Sequence, residues 1–134
     1  MNHKEILDYC LTKRGAYIDY PFGDDVTVLK VKAPSQSKGR VYAQLFFLKG
    51  ESKATFNCDA ITGEFYRSIY PGTVNRGYHC PAVQQPYFNT VNLDGAVPAD
   101  EIRLMIEHSY STVVAKMPKY IQQELNELSE RMPL

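Results

Sequence analysis

The sequence predicts an α+β domain of two layers: an antiparallel β-sheet with helices packed on one of its faces. Three observations carry this prediction. The strand-like segments are grouped and joined by short polar turns, rather than alternating one by one with helices. The longest helical pattern comes late, after the strands. The chain has 134 residues, a length that a single hydrophobic core accommodates, so residues 1–134 are expected to form one domain. The predicted order is α-βββ-α-ββ-α-α.

The first helix opens at Asn2, with Glu5 three positions on, as in a capping box. Ile6, Leu7, Cys10 and Leu11 recur at helical spacing, and Gly15 offers a stop after Lys13 and Arg14. Pro21, Gly23, Asp24 and Asp25 mark a turn. Residues 26–32 alternate and are β-branched, so they read as a strand. Residues 33–39 form a polar connection, 40–48 a second strand, Lys49, Gly50 and Glu51 a turn, and 52–58 a third strand.

Asp59 is placed to cap the next helix, whose apolar side is predicted to be Ile61, Phe65, Tyr66 and Ile69. Pro71 and Gly72 end it. Residues 73–86 are irregular, with Gly77, Pro81 and Pro86 as breakers and a short strand expected near 77–80. Residues 87–93 read as a firmer strand, stopped by Asp94 and Gly95. Pro98 suits a first helical position, and Asp100 and Glu101 suit the positive end of a helix. Ile102, Met105, Ile106, Ser109, Tyr110, Val113, Val114 and Met117 then recur at three and four. Pro118 separates this helix from a last one carrying Ile121, Leu125, Leu128 and Met132.

Composition narrows the function classes. The charges cancel, 15 Lys and Arg against 15 Asp and Glu, so bulk coating of nucleic acid is excluded. No apolar run approaches the roughly 20 residues of a membrane-spanning helix, and the start of the chain lacks the apolar core of a secretory signal. No membrane partner is expected. Cys10, Cys58 and Cys80 are three cysteines without a close pair, which points away from a disulfide framework or a zinc site and towards reduced thiols in the cytoplasm.

The cancelling charges are unevenly spread. Residues 1–25 carry −2, residues 26–92 carry +5, and residues 93–134 carry −3. Strict alternation places Lys30, Lys32, Arg40 and Lys53 on the open sheet face, with Tyr42 and Phe46 among them. Lys38 falls at the hairpin tip. Cations for phosphates interleaved with rings for bases are what a nucleic-acid surface needs. Cations on the wet face of a sheet also serve solubility and discourage edge pairing, so both readings stand.

The motifs Tyr20-Pro21-Phe22-Gly23, Val28-Leu29-Lys30-Val31, Asn57-Cys58-Asp59 and Tyr70-Pro71-Gly72 are followed by Gly77-Tyr78-His79, Asn89-Thr90-Val91, Leu93-Asp94-Gly95 and His108-Ser109-Tyr110. In this order, over roughly residues 4–125, the chain resembles the MmcQ/YjbR-like family. The resemblance implies a compact domain related in shape to frataxin-like and secretion-chaperone-like folds. It also implies DNA binding through a double wing of β-hairpins, and it brings no reaction with it. On the matching positions it implies a cleft of Tyr20, Pro21, Phe22, Gly23, Tyr78, His79, Asn89, Ser109 and Tyr110. The chain departs from the family after His79: residues 80–89 run longer, lack the family's lysines, and carry Tyr87-Phe88 in place of His-Trp. Asn57 stands where many members have lysine.

Catalytic readings find little support. His79 and Cys80 are neighbours, which on a strand point to opposite faces, and a Cys58–His79 pair has no further motif behind it. Asp19, Asp24 and Asp25 lack the spacing of a calcium loop and read as a solvated turn. No phosphate-binding glycine loop or zinc-protease motif is present, so no catalytic residue, metal or cofactor is expected. Two functions remain: a DNA-binding module, weak and salt-sensitive, or a protein-interaction module that uses the same face for a partner or a homodimer. An enzyme acting around Tyr20, His79 and Asn89 ranks third.

Overall fold

The computed structural model describes residues 1–77 and 80–128. Helix α1 (His3–Cys10) has the expected capping box: Glu5 N donates to Asn2 Oδ1 at 2.8 Å, and Asn2 N donates to Glu5 Oε1 at 3.0 Å. It buries Ile6 and Cys10. It ends before the predicted stop, because the chain turns at Gly15 (φ +75°) into a strand missing from the sequence reading, β1 (Ala16–Asp19). Four residues are too few to show a period. A Cβ on Gly15 would lie 2.5 Å from Lys32 O and 2.6 Å from Leu125 Cδ2, so glycine here serves both the left-handed backbone and the close approach.

The sheet continues with β2 (Thr27–Val31), β3 (Arg40–Leu48) and β4 (Glu51–Asn57). Lys49 (φ 51°) and Gly50 (φ 79°) join β3 to β4, both left-handed as a two-residue hairpin turn requires. After α2 (Ala60–Ile69) come β5 (Val74–Arg76), a single 3-10 turn (Gln85–Tyr87) and β6 (Phe88–Asn92). Thus β5 precedes the position predicted for a short strand. Helices α3 (Ala99–Ala115) and α4 (Lys119–Asn126) follow. Met132, assigned above to the last helix, lies outside the described residues.

The six strands lie in the order β1-β2-β3-β4-β6-β5, and every neighbouring pair is antiparallel. The fold is therefore α+β with four helices and a six-stranded sheet, one strand more than predicted. The helices pack against one sheet face. The core joins Leu29, Ala43, Phe56 and Val91 of the sheet to Ile6, Ile102, Ile106 and Leu125 of the helices. Helix α3 buries Ile102, Met105, Ile106, Ser109 and Val113, the stripe its period predicts.

Helix α2 departs from its period. It buries Gly63 and Tyr66, while Ile61 (84% exposed), Phe65 and Ile69 face away from the core. Its smallest residue sets the contact. A Cβ on Gly63 would meet Cys58 Sγ at 2.6 Å and Pro86 O at 3.3 Å, so the helix lies against its neighbours along the Gly63 side. Of the apolar side that helical spacing predicts, Tyr66 is buried and Ile61, Phe65 and Ile69 are left outward.

Candidate polyanion interface

A bulge in β3 divides the predicted basic face. Leu29 pairs with Ala43, but Lys30 pairs with Val41, so Tyr42 is the extra residue of β3 at that point. A bulge shifts the alternation beyond it by one residue. Arg40 consequently pairs with Val31, which lies in the helix-covered core, and comes to the side of α3 and α4. Lys30 stays on the opposite face with Phe46 and Lys53.

Tyr42 is a second correction to the open-face reading. It is fully buried on the helix side, where its hydroxyl donates to Cys10 O at 2.9 Å and its ring meets Tyr110 edge-on at 5.5 Å. Phe46 lies on the predicted face, beside Lys53, but only 9% of it is exposed. Neither ring is presented for base stacking. The structure also engages the two inner lysines. Lys30 Nζ lies 2.7 Å from Asp19 Oδ2, and this bond holds the Asp19 carboxyl below its ordinary range. Lys53 Nζ donates to Asn92 Oδ1 and lies 3.2 Å from Glu51 Oε2. Next to the Lys53–Asn92 pair, Thr55 and Thr90 share a hydroxyl hydrogen bond of 2.9 Å and are buried. Lys32, just past β2, sits over the Tyr17 ring at 5.5 Å.

The exposed cations lie elsewhere. Arg40 lines two adjoining depressions. Lys38, Pro118 and Tyr120 line one with it, and Val41, Val113 and Lys116 the other. Lys38, Arg40 and Lys116 are exposed, and among the described residues no hydrogen bond or ion pair engages their charged ends. Tyr120 is 70% exposed. Cations and a free ring are thus brought together at the α3–α4 junction rather than on the open sheet. Sequence reasoning missed Lys116 and Tyr120, which sit some 80 positions from Arg40. The signal available was Pro118, which breaks the helical run between Lys116 and Tyr120.

The described residues among those assigned to a cleft lie at separate places in the fold. Tyr20, Pro21, Phe22 and Gly23 form the exposed turn after β1. Asn89 is on β6, four strand spacings away, roughly 19 Å at the usual spacing. Asn89 is buried: its Oδ1 accepts from Arg67 Nη1 at 2.6 Å, and its Nδ2 donates to Gly63 O at 3.2 Å. Ser109 is also buried, and the Tyr110 hydroxyl donates to Arg14 O at 2.6 Å. These groups hold helices to the sheet. Tyr78 and His79 lie outside the described residues.

Burial pushes the Cys58 thiol up to about 11 and the Cys10 thiol up to about 12, the direction opposite to that of an activated nucleophile. Among the described residues, no group of three or more His, Cys, Asp and Glu is placed to hold a metal, and no helix is long and apolar enough to cross a membrane.

The sequence model of the YjbR family matches residues 11–112. A crystal structure of a Deinococcus radiodurans protein with the DUF419 domain is similar at a TM-score of 0.83 and 27% identity, over 97% of this chain and 91% of that one. A crystal structure of a Pseudomonas syringae protein shares the fold at a TM-score of 0.66 and 21% identity, over 84% of this chain and 99% of that one. No curated protein matches the chain.

Proposed function

The chain belongs to the YjbR family, and from that membership and the geometry of the α3–α4 junction we propose that it is a DNA-binding module. The observation that carries this reading is the grouping of Lys38 and Arg40 with the exposed ring of Tyr120 in one depression, and of Arg40 with Lys116 in the adjoining one. Unengaged cations meet phosphates without first breaking an ion pair, and a free ring stacks on an unpaired base. Lys30 and Lys53, already paired, contribute little. Three cations make a weak contact that falls steeply with salt, which suits a chain with no net charge.

The test is fluorescence anisotropy with labelled single-stranded and duplex DNA across a salt series, with RNA and heparin as comparators. Binding at low salt that is lost in the Arg40→Glu, Lys116→Glu double variant and kept in Lys30→Gln is the expected result. Indifference of the natural protein to all four polyanions overturns the reading. Binding that survives the double variant overturns the assigned surface.

A protein-interaction role is the second reading, favoured by the outward stripe Ile61, Phe65 and Ile69 on α2. Leu104 is exposed as well. It stands on α3 between Glu101, which interacts with Tyr66, and His108, which lies 3.4 Å from Asp59. An exposed apolar stripe of this kind offers an interaction site. Sedimentation that reveals a dimer, lost on Phe65→Glu, would support it.

A further inference from the structure

We propose that the cavity between the α1–β1 turn, α3 and α4 binds a small oxyanion, a carboxylate or phosphate group on a body of a few carbon atoms. The cavity measures about 240 Å³, and Arg14, Glu107, Ser111, Val114, Leu125 and Asn126 are among its lining residues. Its central feature is Arg14. Among the described residues no hydrogen bond or ion pair engages the guanidinium, and Nε is shielded from solvent without a partner. Arg14 lines the cavity, and a guanidinium whose donors no protein group engages is available to an acceptor bound there.

The nearest carboxylate does not fill that role. Glu107 Oε2 already accepts from the Tyr9 hydroxyl at 2.5 Å and from Lys13 Nζ. Burial and the Glu107 contact push the Tyr9 hydroxyl up to about 12, so it stays a donor at neutral pH. Lys13 balances Glu107, and the positive charge of Arg14 is left over. Ser111 and Asn126 offer a hydroxyl and a carboxamide that no described residue engages. Val114 and Leu125 supply an apolar wall.

A guanidinium fork matches the two oxygens of a carboxylate or phosphate. The volume is below that of ordinary drug-sized pockets, which restricts the ligand to a few heavy atoms. The site is separate from the α3–α4 junction: it takes the C-terminal end of α4, whereas the junction takes the N-terminal end.

The test is an NMR titration of the full chain with butyrate, inorganic phosphate and neutral butyramide at constant ionic strength. Saturable shifts at Arg14, Ser111 and Asn126 with either anion, and none with butyramide, are expected. Butyrate and phosphate separate a preference for carboxylate from one for phosphate. Arg14→Gln is expected to weaken binding about tenfold or more, and Arg14→Lys less. Ser111→Tyr, at an exposed helical position, is expected to block the cavity while the spectrum stays native. Absence of saturable shifts with both anions overturns the proposal, as does equal binding by natural protein and Arg14→Gln.

Discussion

The hydroxyl of Ser109 on α3 donates to the carbonyl oxygen of Tyr42 at 2.5 Å, at the bulge of β3, and accepts from Asn57 N at 2.8 Å. One buried side chain thus serves two backbone groups where regular pairing is interrupted. It also fixes α3 over β3 and β4, which brings Lys116 at the end of α3 to the same side as Arg40. The link runs from a Ser in a helical stripe, through a bulge, to the position of two surface cations.

Ser109→Ala is expected to destabilise the fold by about 2 kcal/mol, because it strips a partner from one buried and one partly buried backbone group at once. In urea denaturation the midpoint should fall with little change in slope. A change within error of zero would show that the bulge is held by other contacts.

Gly15→Ala should cost about 2–4 kcal/mol. The left-handed φ of +75° disfavours a Cβ, and the overlap with Lys32 O is with backbone, which does not rotate away. Gly23, also left-handed but with nothing within 4 Å of the added Cβ, provides the comparison: Gly23→Ala should cost about 1 kcal/mol. Thermal unfolding of the two variants checks the order. Equal costs would mean that the close approach of Gly15 to Lys32 and Leu125 is relieved by movement.

Local pattern made much of this architecture legible. The α1 cap, the β3 boundaries, the Asp59 cap and the buried stripe of α3 all follow from spacings within a few residues. What failed was non-local. The alternation in β3 places Ala43 and Leu45 in the core correctly, but Phe47, expected to be buried, is 66% exposed, and the pattern fails at Tyr42, because a bulge is set by pairing with β2 and by Ser109, 67 positions away. The outward stripe of α2 fails for a related reason: the close approach at Gly63 is to Cys58 and Pro86, and periodicity does not record how near a neighbour comes. Lys30, Lys32, Lys38, Arg40 and Lys53 were legible as cations, but which of them are already engaged was not. Engagement depends on Asp19, Tyr17, Asn92 and Glu51 arriving beside them.

The thiols should divide into one faster and two slower groups. Cys10 and Cys58 are buried and their acidity is suppressed, whereas Cys80 is partly exposed. With an aromatic disulfide reagent at neutral pH, one equivalent should react quickly. The other two should follow the unfolding rate, and denaturant should release all three. Three fast equivalents would contradict the burial of α1 and of the β4 end.

Asp59 gives a pH signature. The backbone amide of Thr62 donates to its carboxylate at 2.7 Å and is the main cause that holds its pKa below the ordinary carboxylate range; the Thr62 hydroxyl and His108 act in the same direction. A lowered folded-state value means that ionised Asp59 favours the folded state. That contribution is fully present above the unfolded value of about 4, and it is lost as pH falls through the lower folded value. Asp59→Ala should cost about 1 kcal/mol at neutral pH as a lost helix cap. Asp59→Asn keeps a cap oxygen and should cost less. Because the carboxylate is largely exposed, solvent screening keeps its charge contribution small. Urea midpoints of natural protein and Asp59→Ala should therefore differ by a constant amount from neutral pH down to about pH 5 and by somewhat less below about pH 4. A difference that persists unchanged into strong acid would assign the role to the geometry of the side chain and not to its charge.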